Sequence, residues 1–515
     1  MQGKISVLAG TPNDANRDYL PEAIYGSDMV VNENGNNSQV YPKRLTEHRG
    51  QITDDGLEDV WYEYVPESYD PGKPTPLVFS MHGGLMTGWG QCIYTSWSLV
   101  ADREGFICVF PNAHDKRMWM IECDPETLDE VMKPAPPGIP SLNRPTGEVE
   151  EFHDVKLVLA LLERMKQRYN IDEGRVYMQG MSMGDCMTSQ VARYCGKYFA
   201  ATAGSGCPTN PKLLFAPDGS AINKGGALDN WQSRLEHDKT PYHYGADDRS
   251  VVRANLDYWR AVNEARELPQ ISIRGEKGFA FFAGNKANVV LMDGKNRDHG
   301  QTFDDAELVW DHLFSGVRKR EDGTLEHTIP LRKREGDSFA VAICEGAKSA
   351  WVNNRIVPMG VKTLRWDKLK YHGLNGGEIV RGSYLCVPLD FLAGVFQAEL
   401  EPLQAGKAAR LTLFDGRTFQ FAEGCIGCVA DNRVEQMLCE AIFREGRLYI
   451  SIEWFCRFAM NLQVSEYDGV LYVTDHYAEI SRYLSWLIQD MLLKHKSRFG
   501  YKHYSLDFTD RRRRE

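Results

Sequence analysis

Apolar residues in the first two-thirds of the chain fall into short runs, separated by segments in which they recur every third or fourth position. The runs read as strands at Val60–Val65, Leu77–Met81, Phe106–Phe110, Val176–Gln179, Ala200–Ala203, Pro241–Tyr244 and Val289–Met292. The intervening segments read as helices at Trp97–Arg103, Val155–Arg168, Cys186–Tyr194, Val251–Glu264 and Asp304–Leu313. Within Val155–Arg168, residues Val155, Val158, Leu159, Leu162 and Met165 keep a period of about 3.6 residues and share one face. Such alternation predicts an α/β protein with a mainly parallel sheet covered by helices on both faces. Two irregular stretches interrupt it, Lys133–Pro140 and Pro208–Lys239. Loops this long inside a compact domain tend to be functional, and both fall where walls of a substrate cleft belong.

The final third has a different pattern. Gly382-Ser-Tyr-Leu-Cys-Val-Pro-Leu-Asp-Phe391 and Gly446-Arg-Leu-Tyr-Ile-Ser-Ile-Glu-Trp-Phe455 form a weak internal repeat, each copy preceded by an Asn-Arg turn. Each copy reads as strand, short helix, strand, which predicts a C-terminal α+β repeat module. Tyr477–Lys494 follows as an amphipathic helix with Ile480, Leu484, Leu487, Ile488 and Met491 on one face. Its polar face is not notably basic, so packing on protein is expected rather than on a membrane. The boundaries expected are an extension over 1–56, a catalytic domain over 57–320, the repeat module over 321–476 and a helix with its tail over 477–515. All candidate chemistry precedes Phe314, so catalysis and the C-terminal module are expected to be separable.

The chemistry concentrates at Gly180-Met-Ser182-Met-Gly184, a Gly-x-Ser-x-Gly motif between a strand and a helix. That context marks the nucleophile elbow of an α/β-hydrolase fold and makes Ser182 the candidate nucleophile. A serine hydroxyl needs an imidazole to take its proton and a carboxylate to hold the imidazole's tautomer. In the required chain order, Asp247 and Asp248 follow the run Pro241–Tyr244, and His299 follows the run Val289–Met292. Either aspartate could be the acid, the other being a turn residue. Ser80-Met-His82-Gly83-Gly84 follows an apolar strand and suits an oxyanion loop, with the amides of Met183 and of Gly84 or Leu85 as donors. Trp119 and Trp231 are candidates for stacking on an aryl or sugar ring, with core packing as the alternative.

Tyr64-Val-Pro-Glu-Ser-Tyr-Asp-Pro-Gly-Lys-Pro-Thr-Pro-Leu-Val78, His82-Gly-Gly84, Ala101-Asp-Arg-Glu-Gly-Phe-Ile107 and Phe110-Pro-Asn112 together resemble the polyhydroxybutyrate depolymerase-like esterases. So do Tyr169-Asn-Ile-Asp-Glu-Gly-Arg-Val-Tyr177 and the elbow. That family is related to feruloyl and acetyl xylan esterases, and the resemblance covers about residues 57–318. It implies a serine carboxylic ester hydrolase working through an acyl-enzyme. The substrates implied are hydroxycinnamate or acetyl-polysaccharide esters, or short hydroxyalkanoates. The family's Gly-x-x-Asp acid matches Asp248, counting from Gly245, and its histidine matches His299. The departures are Asp185, where glycine often follows the elbow, and the long insert before the acid. The C-terminal repeat is similar to the copper amine oxidase N-terminal-like stalk domain, which implies a structural role or tethering to a polysaccharide or cell surface, without copper chemistry.

Composition narrows the alternatives. The chain has 515 residues, 43% of them hydrophobic, and a formal charge of −11 spread along its length, which favours neither nucleic acid nor an anionic membrane as partner. No apolar run approaches the ~18 residues of a membrane span. The N-terminus lacks the apolar core of a signal peptide, which leaves a cytoplasmic protein, or a secreted or surface one whose leader has been removed. Twelve cysteines are too dilute for a disulfide scaffold. Cys108, Cys186 and Cys195 read as small core residues. Cys425-Ile-Gly-Cys428 has no partner pair to complete a zinc site. No cofactor is expected. Two further readings stand beside the esterase: a peptidase or acyltransferase on the same scaffold, and an inactive binding or scaffold protein.

Overall fold

The computed structural model describes residues 29–31, 38–40, 42–133, 140–265, 267–327, 336–370 and 379–493. Most of the proline-rich stretch Lys133–Pro140, the N-terminal hexapeptide and the basic C-terminal tip lie outside them. The described residues fall into two compact units. The first takes those within Met1–Glu267 and Phe281–Arg334, the second those within Leu268–Ala280 and Glu335–Lys496.

The first unit is built on strands β1 (Leu45–Gly50), β2 (Asp59–Tyr64), β3 (Thr75–Met81), β4 (Ile107–Pro111), β5 (Ile171–Met181), β6 (Ala201–Ser205), β7 (Asp229–Leu235) and β8 (Val289–Gly294). Their order across the sheet is β8-β7-β6-β5-β3-β4-β2-β1. Every neighbouring pair from β8 to β4 is parallel, while β2 and β1 run antiparallel at the far side. Helices α1 (Gly88–Tyr94), α2 (Trp97–Glu104), α3 (His153–Arg168), α4 (Met183–Cys195), α5 (Asp248–Val262) and α6 (Asp305–His312) connect the strands. This is an α/β-hydrolase fold. β3 and β4 are buried along their whole length, as expected of strands covered on both faces. Leu77, Phe79, Ile107, Val109, Val176 and Met178 pack there against Val155, Val158, Leu162 and Met165 of α3.

One strand departs from the sequence expectation. Pro241–Tyr244 is not a strand: Tyr242–Tyr244 is a single turn of 3₁₀ helix. The strand in this part of the sheet is β7, Asp-Asn-Trp-Gln-Ser-Arg-Leu, which lay inside the stretch read as irregular. It is buried throughout although most of its side chains are polar. Several of them are hydrogen-bonded to one another or to neighbouring side chains. Trp231 Nε1 donates to Ser233 Oγ (2.7 Å), Gln232 Nε2 to Asn230 Oδ1 (3.0 Å) and Ser233 Oγ to Asp305 Oδ1 (2.8 Å). Hydrogen bonding rather than apolar character makes burial affordable here, so a hydropathy pattern is blind to the strand.

The second unit carries antiparallel sheets. The two repeat copies become the strand–helix pairs Ile379–Pro388 with Leu389–Val395, and Arg447–Ser451 with Ile452–Trp454. The strands pair with each other, Cys386 opposite Ser451 and Val387 opposite Ile450. In the sequence repeat Cys386 corresponds to Ile450 and Val387 to Ser451, so this register is the one a local two-fold would generate. Phe391 and Phe455, the aromatic ends of the two copies, are buried in the same core. The amphipathic helix spans Arg482–Leu493 and buries Leu484, Leu487, Ile488 and Met491. Cys425 is an exposed free thiol and Cys428 a buried one.

Asp337 ties together distant parts of this unit. Its buried carboxylate accepts hydrogen bonds from Ser272 Oγ (2.9 Å), the Ile273 amide (3.0 Å) and Tyr472 Oη (2.7 Å). The Asp337→Ala variant strands a buried amide and a buried phenol. It should lose about 3 kcal/mol, measurable as an earlier urea transition of the second unit, with the first unit's transition unmoved.

Candidate functional site

The elbow is formed by close packing. β5 turns into α4 at Ser182, whose backbone sits at φ 55° and ψ −122°, a region non-glycine residues seldom occupy. Holding it there costs about 1–3 kcal/mol, which the surrounding contacts must supply. The Ser182 amide donates to the Ser205 carbonyl at 2.8 Å, fastening the turn to the end of β6. A Cβ on Gly180 would lie 2.0 Å from the Gly184 carbonyl oxygen, and one on Gly184 would lie 2.2 Å from that of Met81. The two glycines are therefore dictated by the approach of backbone to backbone.

His299 lies in the loop between β8 and α6. Its Nε2 is 2.8 Å from Ser182 Oγ, and its Nδ1 is 2.9 Å from Asp238 Oδ1. Asp238 sits in the turn after β7 with only 6% of its surface exposed. Ser182 and His299 are thus brought together, and the carboxylate on the far ring nitrogen is Asp238 rather than Asp248. Asp248 instead opens α5, where its Oδ1 accepts the Thr240 amide at 2.9 Å, and Asp247 caps the same helix through the Ser250 amide at 3.0 Å. Both belong to a helix start, where a carboxylate meets unpaired amides and the positive end of the dipole. Moving the strand from 241–244 back to β7 moves the strand-end carboxylate from Asp248 to Asp238. The turn Leu235-Glu-His-Asp238 was the signal available for it.

Gly83 and Gly84 lie against the turn at Ser182. A Cβ on Gly83 would be 3.4 Å from that of Ser182, and one on Gly84 would be 2.9 Å from Met183 Sδ. His82, fully buried, accepts the Ala113 amide at Nε2 (2.9 Å), so its proton is on Nδ1 and is donated to the Gly83 carbonyl (2.6 Å). Leu85 spends its amide on the Arg117 carbonyl, 2.8 Å away. Of the two amides weighed for the loop, Gly84 is the one without this commitment. Met183 is the first residue of α4, where helix amides lack intrahelical acceptors.

Beneath the site runs a buried polar network. Gln179 Oε1 accepts from Ser80 Oγ (2.8 Å) and Trp97 Nε1 (3.0 Å), while its Nε2 donates to Gln301 Oε1 (2.7 Å), two residues after His299. Asp185 forms a second anchor: its Oδ2 accepts the Cys207 amide (3.0 Å) and faces Arg234 Nη1 (3.3 Å). Burial pushes the Asp185 carboxyl up to about 6, against the opposing pull of Arg234.

A cavity of about 240 Å³ opens beside Ser182 and His299. Ile121, Leu142, Leu213 and Tyr244 give it apolar surface, while Gln190 and Asn210 add polar groups. Arg193, paired with Glu122, is almost wholly buried at its wall. Cys186 and Cys207 also line it with their sulfurs 3.0 Å apart, so Cys186 is a wall residue and not plain core. Trp119 and Trp231 are both fully buried, Trp119 donating to the His82 carbonyl at 2.7 Å, and neither is free to stack on a ligand.

No protein-family model matches the chain. Over 140 residues it is 27% identical to a bifunctional acetylxylan esterase/xylanase of Neocallimastix patriciarum, a match covering 27% of this chain and 16% of that protein. Over 169 residues it is 25% identical to feruloyl esterase B of Thermothelomyces thermophilus, covering 30% of this chain and 50% of that one. The chain therefore spans half or less of the length of these curated relatives. Among solved structures, an acetyl xylan esterase from Aspergillus awamori aligns over 52% of this chain and 99% of its own, at 13% identity and a TM-score of 0.38. In sequence, then, the chain is similar to esterases.

Proposed function

We propose that this protein is a serine carboxylic ester hydrolase whose working groups are Ser182, His299 and Asp238. The observation that carries the reading is the unbroken hydrogen-bonded line from Ser182 Oγ through both His299 nitrogens to a buried carboxylate. Asp238 accepts from Nδ1, which leaves Nε2 unprotonated and able to take the serine proton. The serine oxygen then attacks the ester carbonyl. The amides of Met183 and Gly84 receive the developing oxyanion. A trans peptide points its C=O and the following N–H in opposite directions. His82, by holding the Gly83 carbonyl, therefore turns the Gly84 amide away from itself. The imidazolium returns its proton to the leaving alcohol, and water repeats the cycle on the acyl-enzyme.

For substrate, we infer an ester in which a small acyl group is carried on a plant polysaccharide. Similarity to an acetylxylan esterase and to a feruloyl esterase supports the class. An apolar cavity with a few polar groups suits an acetyl or hydroxycinnamoyl group. Parallel assays on acetylated xylan, methyl ferulate and hydroxybutyrate oligomers test the assignment. Turnover confined to the last of these would overturn it.

Three variants test the machinery. Ser182→Ala should fold and lose esterase turnover by about 10⁴–10⁶, and should escape labelling by an active-site phosphonate. Asp238→Asn should lower kcat by about 10⁴, because the amide favours the wrong imidazole tautomer. Asp248→Asn should leave kcat close to wild type and cost about 1 kcal/mol of stability at the start of α5. The reverse ranking of the two aspartates would return the acid role to Asp248.

A further inference from the structure

A second cluster of chemistry-bearing side chains lies in the first unit, made of residues unrelated to the nucleophile. Asp59 at the start of β2, His114 in the loop after β4 and His153 at the start of α3 each direct one ligand atom to a common point, all three atoms within 4.8 Å of one another. His153 Nε2 is 2.8 Å from Asp59 Oδ1, and His114 Nδ1 is 3.1 Å from the same oxygen. The other ring nitrogen of His153 is 2.6 Å from Asp55 Oδ2.

Three features distinguish this cluster from an ordinary ion pair. First, His153 has a carboxylate oxygen on both nitrogens. Asp55 lies on Nδ1, and Nε2 is aimed at Asp59. Second, Asp59 is 2% exposed, and its Oδ2 is buried with no hydrogen-bond partner among the described residues. A carboxylate taken out of water is expected to be neutralised and fully bonded, so the spare oxygen is coordination capacity. Third, the cluster is pre-positioned. The Asn112 amide donates to the Val60 carbonyl at 2.9 Å. Asp154, next to His153, accepts the His114 amide at 3.1 Å and the Met120 amide at 2.6 Å. These bonds fix the loop bearing His114 against both the β2 and the α3 ligands.

We propose that Asp59, His114 and His153 form a binding site for a divalent transition metal, zinc by ligand type. Two imidazoles and a carboxylate suit a borderline cation such as Zn²⁺ and disfavour Ca²⁺ or Mg²⁺, which prefer all-oxygen shells. Ligand atoms around tetrahedral zinc stand ~3.3 Å apart, given bonds of about 2.0–2.1 Å. The two observed spacings need to open by only a few tenths of an ångström to admit the ion. Asp55 occupies the outer position that fixes the tautomer of a ligating histidine and raises its basicity. The His114 side chain is 27% exposed, so a fourth, solvent-facing position is available for water. Bound there, the metal fastens the 55–59 segment, the loop after β4 and the first turn of α3 into one rigid corner.

Metal-stripped, tag-free full-length protein titrated with Co²⁺ tests the site. Wild type should take up one equivalent at this site, with the visible d–d absorption of a nitrogen- and oxygen-ligated ion, and Zn²⁺ should displace it and raise Tm. His114→Gln, at a partly exposed position, should keep the wild-type circular dichroism and lose that equivalent along with the Zn²⁺-dependent rise in Tm. Asp55→Asn leaves all three ligands in place and should weaken binding about 10–100-fold. Three results would overturn the proposal: wild type that takes up no Co²⁺, which assigns the cluster to a protonated His153 alone; a His114→Gln protein that keeps the band and affinity unchanged; and a wild-type spectrum dominated by near-ultraviolet thiolate charge transfer, which assigns binding to cysteines.

Discussion

The first unit depends on one close approach, that of β5 and α4 to the end of β3 at the elbow. The Gly180 and Gly184 backbones lie where no side chain fits, and the resulting turn places Ser182 in a conformation it would not adopt alone. The strain is local, but its restraints are distributed. The Ser205 carbonyl holds the serine amide, Gln179 links β5 to the segment after His299, and Asp185 secures the chain at Cys207. A serine fixed by three neighbouring strands has little freedom to reorganise.

How far the sequence reveals this arrangement depends on what kind of signal each part carries. The turn at Ser182, the glycine pair after β3 and the loop that carries His299 are legible because backbone geometry demands glycine or a strand-end position at each, and such demands leave a mark in local sequence. β7 leaves none. Its burial rests on hydrogen bonds between Trp231 and Ser233, Gln232 and Asn230, and Ser233 and Asp305, partners that are invisible until the chain is folded. The misplacement of that strand passed directly to the carboxylate. An acid is recognised by what precedes it, and Pro241–Tyr244 imitates a strand better than β7 does. The Asp59 cluster was unreadable for a related reason, since its members stand 55 and 39 residues apart in sequence and converge only through the topology of β2, β4 and α3.

The second unit was legible in a different way. Its repeat predicted strand followed by helix twice over, and both copies take that form. What no linear pattern could disclose is that the copies pair with each other, strand against strand, and pool their aromatic ends in one core. A repeat that buries its own partner has much less need of a neighbour to complete it than a stacked solenoid unit does.

Asp185 and Gly204 define the order in which this site could have arisen. The carboxylate occupies the space that a side chain at 204 would need: a Cβ there would lie 1.8 Å from Asp185 Oδ1. Where glycine follows the elbow instead, that obstacle at position 204 is gone. Once the aspartate is present, it is not. A lineage can therefore reach this pairing only by acquiring the glycine first, and can leave it only by giving up the aspartate first. The two positions, nineteen residues apart, thus set the order of the mutational steps open to the protein.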